Sequence, residues 1–300
     1  MRHPGRVRRG ERLAARRRIG QPRRRRVRQR QDGGRHQGGD DRPKSATAWP
    51  GWVLDLEAAG YWAPLLAAAL PGELTATRAE QIARACLKAF PLGEQGGTGR
   101  REQVEAVTAW LAAQGLDFAS AIQPHVHGII ADAHLIGAAS AASLVNGGSP
   151  DLAGWQPGDS DTARQQAEAL GAGTVLGAAL AQSPDMASQM AGGFMAGLAR
   201  TLIDGAASGL GAAAIGASLT AYLSDPANAQ RSVLGLLAAG IGAAALAVYR
   251  SLKVRRVRWV TDGGNVCPAC QANADGSPYR LENAPFVPQH PHCRCACIPG

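Results

Sequence analysis

Apolar residues recur at helical spacing over most of the chain beyond its first 48 residues. Ile82, Cys86 and Phe90 follow one another at intervals of four, and Val107 and Leu111 repeat that interval. Such spacing puts apolar side chains on one face of an α-helix. We therefore predict helices here, with Cys86 as a buried, small apolar side chain.

Polar residues mark where helices are expected to begin. Thr77 and Glu80 form a capping-box pattern before an apolar face, which predicts a helix start at Thr77. Ser160 or Asp161 is expected to cap a later helix that runs to Gly171. Most of the chain between residues 47 and 252 is therefore predicted to be helical.

A long helix is predicted over residues 118–145, interrupted or kinked by Pro124. The rings of His125 and His127 on this helix point about 200° apart, so the pair cannot chelate one ion or share a proton. His134 lies seven residues after His127 and could share its face, but Asp132 is turned away, so this face is expected to be a hydrated helix surface. No Gly-x-Ser-x-Gly, phosphate-binding glycine loop or His-Glu-x-x-His motif occurs, so we predict no catalytic residues and no enzymatic activity.

Two stretches without charge, residues 205–223 and 233–249, have two alternative interpretations. They contain 19 and 17 residues and are rich in Ala and Gly. Their length and the basic residues after the second would suit a membrane hairpin over 205–249. Their small residues, such as Gly205 and Gly209, equally suit closely packed helices buried in a soluble protein, and we favour this second interpretation.

The period changes from helical to alternating after residue 253. Val257 and Trp259 alternate with Arg256 and Arg258, which predicts a strand over residues 254–261 with one apolar face. A small α+β module is expected to begin with this strand.

Charge is divided unevenly along the chain. Residues 1–44 carry 17 Lys and Arg against 4 Asp and Glu, residues 45–249 carry 8 against 16, and residues 250–300 carry 7 against 3. The first segment has almost no large apolar side chain, so residues 1–46 are predicted to be a disordered tail. This tail is a candidate for phosphate binding, or is a solvated arm, or derives from a start codon set too early.

Five of the six cysteines lie in the last 34 residues. Two Cys separated by two residues can turn both sulfurs toward one ion, and a second group of His and Cys follows. We predict a structural Zn²⁺ site with Cys267 and Cys270 as the firm pair; disulfides and unliganded thiols are the alternatives. The candidate ligands are Cys267, Cys270, His290, Cys293 and Cys295.

Basic ends on an acidic body suggest that the ends contact nucleic acid while the body contacts protein. In the terminal segment the candidate nucleic-acid contacts are Arg255, Arg256, Arg258 and Arg294. A nucleic-acid-binding zinc protein is therefore one alternative function, and a membrane-associated protein with the hairpin at 205–249 is another.

The terminal segment resembles the C-terminal signature of the phage head morphogenesis family, the Mu F-like minor head proteins. In that family a strand leads to a Cys-Pro-x-Cys knuckle and then to His-Pro-x-Cys-Arg-Cys before a terminal proline; His292 and Cys297 are additions to this pattern. The matching positions are Trp259, Thr261, Cys267, Pro268, Cys270, Gly276, His290, Pro291, Cys293, Arg294, Cys295 and Pro299.

Three stretches of the body are similar to the helical portion of minor head proteins from phages and prophages of GC-rich actinobacteria. They are "WVLDLEAAGYWAPLLAAAL", "GIIADAHLIGAASAASLV" and "WQPGDSDTARQQAEALGAG". The resemblance implies a low-copy, non-enzymatic component of procapsid assembly that contacts portal, scaffold or major capsid protein, with double-stranded DNA as a further candidate partner. It implies location in the host cytoplasm during assembly and then in the virion, in the capsid interior or near the portal.

The expected organisation therefore has three parts. A disordered Arg-rich tail covers residues 1–46, and a mainly α-helical body with Ala- and Gly-rich helices covers residues 47–252. A small C-terminal α+β module, held by a Cys/His zinc knuckle, covers residues 253–300.

Overall fold

The computed structural model describes residues 49, 51–90, 92, 99–261, 266–287 and 295–300. The predicted Arg-rich tail lies outside these residues. Within them the chain forms nine α-helices followed by a small region of three strands that includes a tenth helix, which confirms the mainly helical class with a C-terminal α+β segment.

The helices are α1 (Gly51–Ala69), α2 (Ala76–Ala89), α3 (Gly99–Ala112), α4 (Phe118–Asn146), α5 (Ser160–Ala169), α6 (Gly173–Ala181), α7 (Ser183–Ala207), α8 (Ala212–Ser224), α9 (Pro226–Ser251) and α10 (Pro268–Asp275). The strands are β1 (Arg256–Val260), β2 (Tyr279–Arg280) and β3 (Ala296–Pro299). Short 3-10 turns follow α1 and β2.

Helix α4 is the central element of the helical body. It packs against α1, α5, α7 and α9, and every residue from 128 to 141 is buried. The expectation of a hydrated face through His127 and His134 was therefore wrong at His134, whose exposed fraction is 2%. His127 is exposed, and Asp132, expected to point away from that face, is 0% exposed. A helical segment that is covered on all sides has no hydrated face, and the exposed residues of α4, such as Pro124 and His127, lie toward its ends.

Helices α4 and α9 cross at backbone contact distance because glycine and alanine occupy the crossing. A Cβ atom on Gly137 would lie 2.8 Å from Cα of Ile241, and one on Gly240 would lie 2.6 Å from Cβ of Ala133. Such distances leave no room for a side chain at either glycine. Close approach of this kind gains dispersion energy where little apolar side-chain area is available.

The uncharged stretch 205–223 is not one helix. Helix α7 ends at Ala207, Gly209 adopts a left-handed φ of 71°, and α8 begins at Ala212. The left-handed residue ends α7 in the manner of a glycine C-cap. Gly205 then packs against Ile215, whose Cγ1 atom would lie 2.8 Å from a Cβ on the glycine.

Two helices in the described part of the chain are long and apolar enough to cross a membrane by length and composition alone. They are α4 and α9, with 83% and 50% of their most apolar windows buried inside the protein. Only α9 overlaps the hairpin considered at 205–249. The membrane alternative stays a prediction.

Two predicted helix starts were displaced by one or two residues. Thr75, in an extended conformation, accepts a hydrogen bond from the amide of Arg78 and caps α2 in place of Thr77. Asp159 accepts from the amide of Thr162 and caps α5 in place of Ser160 or Asp161. In both cases an earlier oxygen-bearing side chain satisfies the free amide, which a pattern of spacing alone does not decide.

The three strands form one antiparallel sheet in the order β2-β1-β3. Val257 and Trp259 are buried while Arg256 and Arg258 are exposed, so the predicted alternating strand is confirmed for residues 256–260. The sheet packs against the helical body through α9 and α4.

Candidate metal centre and basic cleft

The turn between Cys267 and Cys270 is built at the start of helix α10. Cys267 is extended (φ −71°, ψ 156°) and is the N-cap, and its Sγ accepts a hydrogen bond from the amide of Cys270 at 3.3 Å. Pro268 occupies the first position of the helix, where the missing N–H costs nothing. The Cys267 sulfur therefore lies at the N-terminus of α10 and already accepts one amide hydrogen bond.

The sheet positions a third predicted ligand. Val260 at the end of β1 pairs with Ala296 at the start of β3, so Cys295 lies beside the end of β1. Cys267 and Cys295 are half-buried, and Cys270 is 2% exposed. The turn that carries Cys267 and Cys270 opens α10, and α10 contacts β1.

The remaining predicted ligands, His290 and Cys293, lie outside the described residues. Within the described ranges, no group of three or more His, Cys, Asp or Glu side chains is arranged to hold a metal ion. The donor set nevertheless fits zinc in its chemistry, because thiolate sulfur and imidazole nitrogen are the ligands of structural zinc sites. The predicted zinc site stays a prediction.

Cys297, the addition to the family pattern, has a different environment from these ligands. It pairs with Trp259 in the sheet, is 4% exposed, and its carbonyl accepts a hydrogen bond from the hydroxyl of Tyr249. Burial, together with nearby Cys295, raises the pKa of Cys297 to about 12. A protonated thiol facing the core is a packing group.

Cys86 also packs as a small apolar side chain, as predicted. Its exposed fraction is 0%, and burial raises the pKa of its thiol to about 11.

A basic cleft of about 670 Å³ lies where α9 meets the sheet. Its cations come from the end of α9, from the connection to β1, and from the paired strands β1 and β2. We define the basic cleft by Arg250, Lys253, Arg255, Arg256 and Arg280, with Glu282 as its acidic member.

The cleft only partly matches the predicted nucleic-acid contacts. Arg255 and Arg256 line it, Arg258 is exposed on the same strand but does not line it, and Arg294 lies outside the described residues. Sequence reasoning missed Arg280 because only the pairing of β1 with β2 brings it there. Arg250 and Lys253 were visible as basic residues after an apolar helix, without any sign that they share a cavity.

Lys253 holds an unusual backbone conformation, with φ at 58°. Its amide bonds to the carbonyl of Arg250, and the amide of Val254 bonds to the carbonyl of Tyr249. These two bonds form a Schellman motif, whose left-handed residue is normally glycine. A lysine at this position costs roughly 1–2 kcal/mol.

The carboxylate of Asp132 is buried inside the helical body. It accepts hydrogen bonds from the indole nitrogens of Trp62 (2.7 Å) and Trp155 (3.0 Å) and from the amide of Gly158 (2.9 Å). Burial raises the pKa of Asp132, and these three hydrogen bonds oppose that rise. The carboxylate ties α1 and the loop before α5 to the central helix.

The two histidines near the start of α4 face different partners. His125 makes an edge contact with Trp62, and Nε2 of His127 is hydrogen-bonded to the hydroxyl of Ser183. A Ser–His pair is the beginning of a nucleophilic site, but Ser183 is 0% exposed and cannot reach a substrate in this conformation. The pair instead joins α4 to the first residue of α7.

These features define a mainly helical protein with a cysteine-rich terminal segment, a small sheet and a basic cleft beside that sheet. Comparisons with protein-family models, with curated proteins and with solved structures found no match.

Proposed function

We propose that this chain is a minor head protein of a phage or prophage, a non-enzymatic component of procapsid assembly. The observation that supports the proposal is the terminal motif, whose described residues lie in and beside one small sheet. Its Trp259 lies in the core of a small sheet, its Cys267–Cys270 turn follows the central strand, and its last proline pairs opposite Val257. Residues that are scattered over the motif thus belong to one small structural unit.

A buried polar cluster around Asp132 in the helical body also supports the proposed function. The three stretches that resemble minor head proteins each contribute to the Asp132 cluster: Trp62 from the first, Asp132 from the second, and Trp155 with Gly158 from the third. The three separate stretches therefore meet in one buried polar cluster.

We further propose that the terminal motif binds one structural zinc ion. Cys267 and Cys270 would supply two ligands, and the other two would come from His290, Cys293 and Cys295. A closed site of four protein ligands has no open position for water, so it would stabilise the terminal sheet. Such stabilisation matters here because a module of about 45 residues has little core of its own.

Metal content tests the zinc proposal. We expect about one zinc ion per chain in protein purified without chelator, measured by inductively coupled plasma mass spectrometry. Cys267→Ser should lose the ion, while the matched control Cys86→Ser should retain it, because Cys86 is buried in α2 far along the chain from the motif. Zinc-free wild-type protein with motif thiols that alkylate freely in the native state would contradict the proposal.

Association with phage particles tests the assembly role. The genes beside that of this chain are expected to encode portal, scaffold or capsid proteins, and the chain should sediment with particles when they are co-expressed. Its partners, portal, scaffold or major capsid protein, can then be identified by cross-linking mass spectrometry. A chain that stays in the soluble fraction while complete particles form without it would exclude the role.

A further inference from the structure

The basic cleft concentrates positive charge in a recess. Five cations line its volume of about 670 Å³, and Glu282 is the one acidic residue among the described residues around it. Glu282 lies 3.8 Å from Arg280, and both side chains are largely exposed, at 65% and 72%. An exposed pair of this kind is weak, and one carboxylate against five cations leaves the cleft with a net positive charge.

The strand register adds to this charge. Arg256 on β1 lies directly opposite Arg280 on β2, and both side chains are exposed on the same face. Like charges directly opposite each other destabilise a pair of strands. An anion between them would remove that repulsion.

The backbone conformation of Lys253 also indicates that the cleft binds an anion. The chain keeps a lysine in a left-handed position that glycine fills at lower cost. The position also lines the cleft. A strained residue that faces a recess is an indication of a binding role.

The lining indicates which kind of anion fits. None of the described residues that line the cleft is aromatic, so it offers no platform on which bases could stack. Arginine forks suit phosphate oxygens, which they contact with two parallel hydrogen bonds. A recess lined by cations suits a phosphate strand that enters it better than a flat lipid surface.

We propose that the basic cleft binds consecutive phosphates of a duplex DNA backbone without reading bases. This inference names a DNA contact for the proposed head protein, and rests on that function only for the source of the DNA. Arg256 and Arg280 contact phosphate oxygens, and Lys253 and Arg250 supply positive charge at the end of α9. Arg258, which lies outside the cleft, takes no part.

Fluorescence anisotropy with a labelled 24-base-pair duplex and the full chain tests the cleft. Each phosphate contact contributes about 0.9 to the slope of log affinity against log salt. Arg256→Gln/Arg280→Gln should therefore lower that slope by about 2 and weaken binding at least tenfold at low salt. The matched control Arg258→Gln, on the same strand face, should change affinity less than about twofold.

Lys253→Gly separates binding from folding. Because it relieves the left-handed strain, its Tm should rise by about 2–4 °C, while its affinity for the duplex falls about three- to tenfold. A variant that is more stable than the wild type but binds DNA more weakly has not lost binding through a damaged fold. Circular dichroism checks that the double arginine variant keeps its helices.

Several outcomes would overturn the inference. If the double variant and Lys253→Gly bind the duplex as wild type does, residues elsewhere, such as the Arg-rich first 44, carry the affinity. If Arg258→Gln weakens binding as much as the double variant, surface charge and not the cleft is responsible. If the variants lose binding to phosphatidylserine vesicles and not to the duplex, the occupant is a lipid. Particle association and zinc content are independent of this titration, so the assembly role can fail or hold separately.

Discussion

The hydroxyl of Tyr249, near the end of α9, donates a hydrogen bond to the backbone carbonyl of Cys297 in β3 at 3.1 Å. Both residues are buried. This bond joins the last helix of the body to the strand that closes the terminal sheet. It spans 48 positions of sequence and fixes how the sheet lies on the helices.

Tyr249→Phe should therefore lower the free energy of unfolding by about 1–2 kcal/mol, because it leaves the Cys297 carbonyl without its partner. Urea denaturation followed by circular dichroism measures the loss. Tyr61→Phe is the control: Tyr61 is 45% exposed and the change should stay within about 0.5 kcal/mol. Equal effects of the two substitutions would contradict the importance of the bond.

Asp132→Asn should destabilise the protein by about 1–3 kcal/mol. The asparagine amide has the shape of the carboxylate, but its NH2 group carries two N–H donors. These donors would face a site that already contains three N–H donors, from Trp62, Trp155 and Gly158. The fluorescence of Trp62 and Trp155 should change with it. Asp185→Asn, at an exposed position in the first turn of α7, should cost less than about 1 kcal/mol; a smaller loss at Asp132 than at Asp185 would refute the argument.

Gly137→Ala should cost about 1–3 kcal/mol, because the added methyl group meets the backbone of Ile241 and must push α9 away from α4. Gly192→Ala is the matched control in α7. Its new methyl group would meet no atom within 4 Å, so the better helix propensity of alanine should raise stability by about 0.5–1 kcal/mol. In thermal unfolding, the Tm of Gly137→Ala should fall below that of the wild type, and the Tm of Gly192→Ala should rise above it.

Cys86 should make stability depend on alkaline pH. Burial raises its thiol pKa from 9.0 to about 11, so the folded state binds the proton more tightly than the unfolded state. The buried thiol therefore contributes to the free energy of unfolding in full below pH 9. This contribution is lost as the pH rises toward 11, with a slope of up to about 1.4 kcal/mol per pH unit. Burial also raises the pKa of Tyr249, so the test is the difference between wild type and Cys86→Ala. Parallel curves for the two proteins between pH 9 and 11 would exclude this effect.

Patterns with local causes were predictable from the sequence. The alternation of Val257 and Trp259 with arginines gives β1, because side chains on a strand alternate between two faces. The apolar face around Cys86 gives α2 in the same way. Helix starts were less accurate, since Thr75 and Thr77 are equally able to cap and only the local backbone selects between them.

Features that depend on distant parts of the chain were not predictable. The burial of Asp132 and His134 follows from four neighbours of α4, and no local pattern shows how many neighbours a helix will have. The basic cleft needs Arg280 to lie beside Arg256, which is a consequence of strand pairing across 24 positions. The Cys267–Cys270 turn was recognised from its spacing, but its position at a helix N-terminus was not.

The short connection between α9 and β1 has a mechanical consequence. Helix α9 contains 26 residues, which corresponds to a rod of roughly 39 Å, and only four residues separate its end from the central strand. The backbone hydrogen bonds of the C-cap around Lys253 restrict this connection, and the hydrogen bond of Tyr249 to Cys297 attaches the end of α9 to β3. The sheet is therefore held close to the end of the rod, and a displacement of the last turn of α9 would carry β1 with it.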